Sequence, residues 1–341
     1  MTLQNFVLQS ISSSGAPAVT SYIAVSHATT PYVTAYPWSS AGFGTKYANP
    51  ASLASGTCED VAFTAAKDAI AIVTGGSPRV LAYPWSASGF GTKFSDPATV
   101  PTGSALGVRF SSDDAEIAVS HNTSPWVTAY PWSVSGFGTK YANPSPVPGS
   151  QGEDVAWLPS KGAIATANSG SPYVNAYLWS SGFSTKYSNP ATLPAGWGYS
   201  VDFRTGNDAV AVGHDTSPFI SAYPWSAGFG SKYANPASLP VAAGNRVRFS
   251  PDGTNIASAS FTSPRIEAWA WSSGWGAKYS NPATLPSSFT HGVAWSAAGT
   301  EIAAAGNSYR VIAYPWSSGF GTKYADPATL PAGDGRGVAF C

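Results

Sequence analysis

Charge is what this sequence has least of. Lys, Arg, Asp and Glu make up 10% of its 341 residues, and 17 basic groups balance 17 acidic ones, against roughly 25% charged residues in an average globular chain. Without a cationic excess, binding to nucleic acid or to an anionic membrane surface is excluded. Cysteine is nearly missing as well. Cys58 and Cys341 cannot build a disulfide framework, no CxxC pair exists for metal or redox work, and two free thiols are expected. No apolar run approaches the roughly 18 residues of a membrane span, so no membrane insertion is expected. Met1 to Phe6 lacks a cationic start followed by an apolar run, so no signal peptide is visible. A chain with so few charges and no net charge has poor colloidal stability alone, which favours packing into an assembly.

Repetition is what the sequence has most of. The segment Ala313-Tyr314-Pro315-Trp316-Ser317-Ser318-Gly319-Phe320-Gly321-Thr322-Lys323-Tyr324 is one of seven near-copies, whose tryptophans are Trp38, Trp85, Trp132, Trp179, Trp225, Trp271 and Trp316. Successive copies are 45 to 47 residues apart, a period that defines a repeat architecture and overrides the two-domain expectation from length. Residues 1–15 do not match the repeat and are read as an N-terminal extension or arm, with Phe6-Val7-Leu8 a short strand; residues 16–341 are read as one domain.

Each unit holds four strand-like runs, a to d, separated by turn chemistry. In one unit these are Asn245–Phe249, Asn255–Ala259, Arg265–Trp269 and a run opening at Ala277-Lys278-Tyr279, with Ser250-Pro251-Asp252-Gly253 as a tight a–b turn. Small four-stranded antiparallel sheets repeated seven times describe an all-β, seven-bladed β-propeller. The last strand-a run, residues 337–340, stands just before the chain ends, while the first repeat starts at strand b. The expectation is that residues 337–340 complete the first blade and close the ring, with Phe6-Val7-Leu8 as the competing strand. The stretch from Val247 to Ser260 resembles the a-to-b segment of a WD40 repeat, and Trp269 and Trp271 stand near that family's strand-c tryptophan. The family's Gly-His pair before strand a and its Asp after the tryptophan are missing; Ser follows all seven tryptophans.

In such a meander the b–c and d–a connections share one face of the disc, and the a–b and c–d connections share the other. The near-constant tryptophans are read as inter-blade packing. The lysine of each copy, Lys46 to Lys323, is read as opening strand d and protecting an outer edge, or else as a cationic rim. The b–c connections vary, and a large residue follows the Thr/Ser-Pro element: Tyr32, Arg79, Trp126, Tyr173, Phe219, Arg265 and Arg310. These seven are the candidate binding residues, since aromatic and guanidinium groups dominate interaction surfaces; the bland alternative is blade-to-blade filler. His27, His121 and His214 occupy one register in three blades, too far apart to act jointly, and no metal or other cofactor is expected. Glu59-Asp60 and Glu153-Asp154 stand near the central channel, but neighbours on a strand point to opposite faces. With no nucleophile triad, phosphate loop or zinc spacing either, the sequence reads as a non-enzymatic protein.

The repeats also resemble those of uncharacterised bacteriophage-encoded proteins. The resemblance implies a structural or interaction component of a virion, in a capsid or tail, whose partners are other virion proteins or a protein scaffold and whose variable face touches a host-surface glycan or protein. The alternatives are a carbohydrate-binding propeller lectin and a cytoplasmic WD40-like scaffold.

Overall fold

The computed structural model describes residues 21–341. The N-terminal arm and the strand expected at Phe6-Val7-Leu8 lie outside the described residues. Seven antiparallel sheets, one per copy of the repeat, form the blades of a seven-bladed β-propeller, and no helix occurs among the described residues. Blade 2 shows the pattern: strand a is Cys58–Phe63, b is Ala69–Thr74, c is Val80–Ser86 and d is Gly89–Phe90. Strands b are mostly apolar and buried from both sides, as Ala69–Thr74 illustrates, because each is covered by neighbouring blades. The a–b turn works as expected, with Gly253 at φ +68 in the left-handed region that a Cβ disfavours.

Gly335–Phe340 pairs antiparallel with Ser21–His27, so the C-terminal strand, two residues longer than expected, completes blade 1 beside Val33–Ser39 and Gly42–Phe43. Strand d differs from the reading of the sequence. In blade 6 it is Trp275–Lys278, ending at the lysine where a strand was expected to open, and in blades 5 and 7 it shrinks to the single bridges Trp225–Phe229 and Trp316–Phe320. The physical reason is local. In the other six copies the lysine ammonium folds back onto the Asn or Asp three residues on, as in Lys186–Asn189 and Lys323–Asp326, both 2.6 Å, and closes a turn before the proline, whereas Lys278 of blade 6 pairs across to Glu267 of strand c.

The repeated tryptophans hold blade to blade. Trp38 is met edge-on by Phe43 and Phe340 of its own blade and by Tyr324 of the preceding one, with ring centroids 4.9, 5.1 and 5.0 Å away. Trp132 has the same cage in Phe137, Phe110 and Phe94, and such contacts add roughly 0.5–1.5 kcal/mol each beyond area burial. Two residues earlier a buried Tyr hydroxyl donates to a carbonyl in the preceding blade's d–a linker, as in Tyr83 to Ser52 at 2.6 Å and Tyr130 to Thr99 at 2.7 Å. Blade 6 substitutes Trp269, whose Nε1 donates to Ser238 O at 2.9 Å. Cys58 and Cys341 are free and buried.

Candidate functional site

Strand a lines the central channel, and it carries a repeated irregularity. In blade 2, Cys58 pairs with Thr74 and Asp60 with Val73, so Glu59 is an extra residue. The same register shift falls at Leu106, Glu153, Tyr199, His291 and Arg336. A β-bulge breaks the alternation of side chains and re-aims the inserted residue. Here it sends all six side chains to the channel mouth on the face of the b–c and d–a connections. That corrects the argument that adjacent acids must point apart: Glu153 and Asp154 both face the channel, one at its mouth and one inside it.

Beneath the mouth the channel is plugged by ion pairs. Asp154, fully buried, accepts from Arg246 Nη1 and Arg248 Nη1, each at 3.1 Å, and from Ser200 Oγ at 2.9 Å. Asp60 accepts from Arg109 Nη1 at 2.8 Å and lies 3.6 Å from Arg246 Nη2. The carboxylates come from blades 2 and 4 and the guanidinium groups from blades 3 and 6, so the plug ties opposite sides of the ring together.

Above it is a cavity of about 140 Å3 lined by Glu59, Leu106, Glu153, Tyr199, Asn245, Arg246, Phe261, His291 and Arg336. Burial pushes the Glu153 carboxyl up to about 7, outweighing the hydrogen bonds that Oε1 accepts from Trp197 Nε1 at 2.9 Å and Gln151 Nε2 at 2.6 Å. Burial also raises Glu59 above the usual carboxylate range. His291 is held down to about 4 by burial and by Arg336, so it is neutral; its Nε2 donates to Asn307 Oδ1 at 3.0 Å, with Arg336 Nη1 3.3 Å away. Two aromatic walls flank these groups. Trp197 stacks on Tyr199 with centroids 5.5 Å apart, and Phe261 lies 5.3 Å from Phe289 and 5.2 Å from His291. Trp197, Phe261 and Phe289 are 38%, 37% and 50% exposed. A carboxyl that titrates near neutrality beside guanidinium groups can move a proton and hold an anion at one spot.

The seven residues expected to bind, Tyr32, Arg79, Trp126, Tyr173, Phe219, Arg265 and Arg310, form a wider ring on this same face. All are half-buried at φ between +63 and +77. Their backbones finish the b–c turns: Tyr32 N donates to Thr29 O and Tyr32 O accepts from His27 N. Arg265 Nη1 donates to Pro286 O at 2.9 Å. None of the seven lines the cavity. His27, His121 and His214 are buried, and each Nε2 meets a strand-c hydroxyl, Thr34, Thr128 or Ser221, at 2.9–3.0 Å; no cluster of His, Cys, Asp or Glu among the described residues could hold a metal. Trp197, Tyr199, Asn245, Arg246, Phe261, Phe289, His291 and Arg336 were not singled out from the sequence. A signal was present: at the strand-a register of Glu59 the copies read Glu, Leu, Glu, Tyr, Asn, His and Arg, whereas two residues on all seven read Val.

No protein-family model matches the sequence, and no curated protein is similar to it at the level of sequence. Solved structures share the fold. A Bacteroides fragilis protein described as a "putative 6-phosphogluconolactonase" superposes with a TM-score of 0.70 at 10% identity, over 96% of this chain and all of that one. One of the same description from Bacteroides uniformis gives 0.69 at 12%, over 94% and 99%. A functionally unknown protein from Desulfotomaculum acetoxidans gives 0.65 at 12%, again over 94% and 99%. These likenesses overturn the expectation of a non-enzymatic protein. A propeller of this shape is also the form of proteins described as "putative 6-phosphogluconolactonase", so missing triads and metal motifs exclude nothing.

Proposed function

We propose that the channel mouth binds a small anionic sugar derivative and hydrolyses its lactone or ester. The observation that carries this reading is the convergence, through repeated bulges, of Glu153, Glu59, Arg246, Arg336 and neutral His291 on one small cavity walled by aromatic rings. Aromatic faces suit the C–H surfaces of a sugar ring, and the guanidinium groups suit a phosphate or carboxylate. The Glu153 carboxylate takes a proton from water as the oxygen attacks the lactone carbonyl, and Arg336 faces the oxyanion that forms. When the ring C–O bond breaks, the leaving alkoxide receives that proton from Glu153, and the product is a hydroxy acid. The solved propellers described as 6-phosphogluconolactonases favour a phosphorylated sugar lactone among candidate substrates.

Hydrolysis of 6-phosphogluconolactone and of its unphosphorylated counterpart tests the reading. The expected result is turnover above the buffer rate that rises with pH through about 7, as Glu153 loses its proton. Glu153→Gln lowers it by about 10²-fold or more, and Arg336→Met, which removes the group facing the oxyanion, slows both lactones. No turnover of either lactone overturns it. Saturable sugar binding without turnover supports the lectin reading, which the aromatic walls favour, and there the outer ring from Tyr32 to Arg310 supplies further contacts. Location in a virion is retained as a proposal on the charge-poor composition, and copurification with particles tests it.

A further inference from the structure

The opposite mouth of the channel, on the face of the a–b turns, opens as a wider funnel of about 450 Å3, a size typical of small-molecule pockets. Its rim is the strand-a aromatic of each blade, including Phe63, Trp157, Phe249 and Trp295. At its floor one register reads Ala62, Arg109, Ala156, Asp202, Arg248, Ala294 and Ala339 around the ring. The four alanines leave the space, and the three charged residues furnish it.

Arg248 is 9% exposed, and its Nη1 is saturated by Asp154, Ser200 and the carbonyls of Val247 and Val201, whereas its Nη2 has no partner. Arg109 Nη2 lies 3.9 Å from the same Asp154 carboxylate, so the two guanidinium groups come together under the floor. A buried guanidinium nitrogen without an acceptor is an unmet donor, costly to leave so. From this we infer that the funnel is a second ligand site, for a small molecule with an apolar body and a carboxylate head that takes up the unpartnered Nη2 of Arg248, with the Arg109 guanidinium beside it. The aromatic rim encloses the body.

Asp202 sets the pH dependence. Its Oδ2 accepts from Phe249 N at 2.8 Å, and burial pushes its carboxyl up to about 7. The charged groups around it are Arg109, Arg248 and Asp154, with Asp60 and Arg246 beyond them in the plug. When Asp202 loses its proton, its charge opposes an incoming carboxylate, so binding weakens as pH rises through 7.

The test is calorimetric titration of the whole protein with benzoate and, as the neutral counterpart, benzyl alcohol, at pH 6 and pH 8. Expected are saturable benzoate binding at pH 6, at least about tenfold weaker binding of benzyl alcohol, and about tenfold weaker benzoate binding at pH 8. Asp202→Asn removes the pH difference. Ala294→Leu and Ala339→Leu, both at half-buried positions, fill the funnel and abolish binding while leaving the unfolding temperature and lactone hydrolysis unchanged. Glu153→Gln leaves benzoate binding intact, which separates this site from the catalytic one. The inference is overturned if benzoate does not saturate at pH 6, if the alcohol binds as well as the acid, or if both leucine variants fold and still bind.

Discussion

The single side chain with most consequence is Glu153, because burial and the Trp197 and Gln151 donors hold a titrating carboxyl at a fixed place beside Arg246 and Arg336. The histidines illustrate the opposite use of burial. His27, His121 and His214 are held down to about 4, chiefly by desolvation, so the folded state takes up their protons less readily than the unfolded chain. Their contribution to stability is complete above the ordinary value of about 6.5 and is lost as pH falls toward 4. Blade 4 carries Asn168 in that register, bonded to Thr166 and Asn175 at 2.9 and 2.8 Å. His121→Asn is therefore expected to fold and to reduce the loss of unfolding temperature between pH 7 and pH 4. An unchanged acid profile would show that His121 is not one of the groups responsible.

Among elements, the β-bulge at the head of strand a and the tryptophan cage on strand c divide the work between function and cohesion. The cage was legible because it repeats: seven near-identical segments must solve the same packing problem, and Trp132 with Phe94, Phe110 and Phe137 is that solution. Trp132→Ala is expected to cost about 3–5 kcal/mol in urea unfolding, and Tyr130→Phe, which frees the Thr99 carbonyl, about 1 kcal/mol. A loss near zero for Trp132→Ala would mean that blade contacts are held elsewhere. The bulge was not legible, because strict alternation is the default reading of a strand and nothing in Gly152-Glu153-Asp154 marks the extra residue. Asp154 was found as half of an acid pair, but its partners Arg246 and Arg248 are 92 and 94 positions on, brought near only by the ring. The shortness of strand d was hidden for a similar reason, since the lysine that seemed to open it folds onto its own turn.

For the whole molecule, the period of the sequence implied the circle, and the missing strand a at the start implied where it shuts. Gly335–Phe340 lying against Ser21–His27 realises that closure. Removing residues 335–341 would leave strand b of blade 1 unpaired along one edge, and the truncated chain is expected to aggregate or lose its single cooperative unfolding transition. A monomer ending at residue 334 that melts like the full chain would show that closure contributes little. What the ring does beyond cohesion is bring distant side chains to one axis, and the account rests on the mouth they form. Its most direct test is a crystal of the protein soaked with 6-phosphogluconate, the hydrolysis product. The account predicts the ligand in the cavity between Glu153, Arg336 and the Trp197–Tyr199 wall, with its phosphate or carboxylate on a guanidinium group; an empty mouth with the ligand bound elsewhere would contradict it.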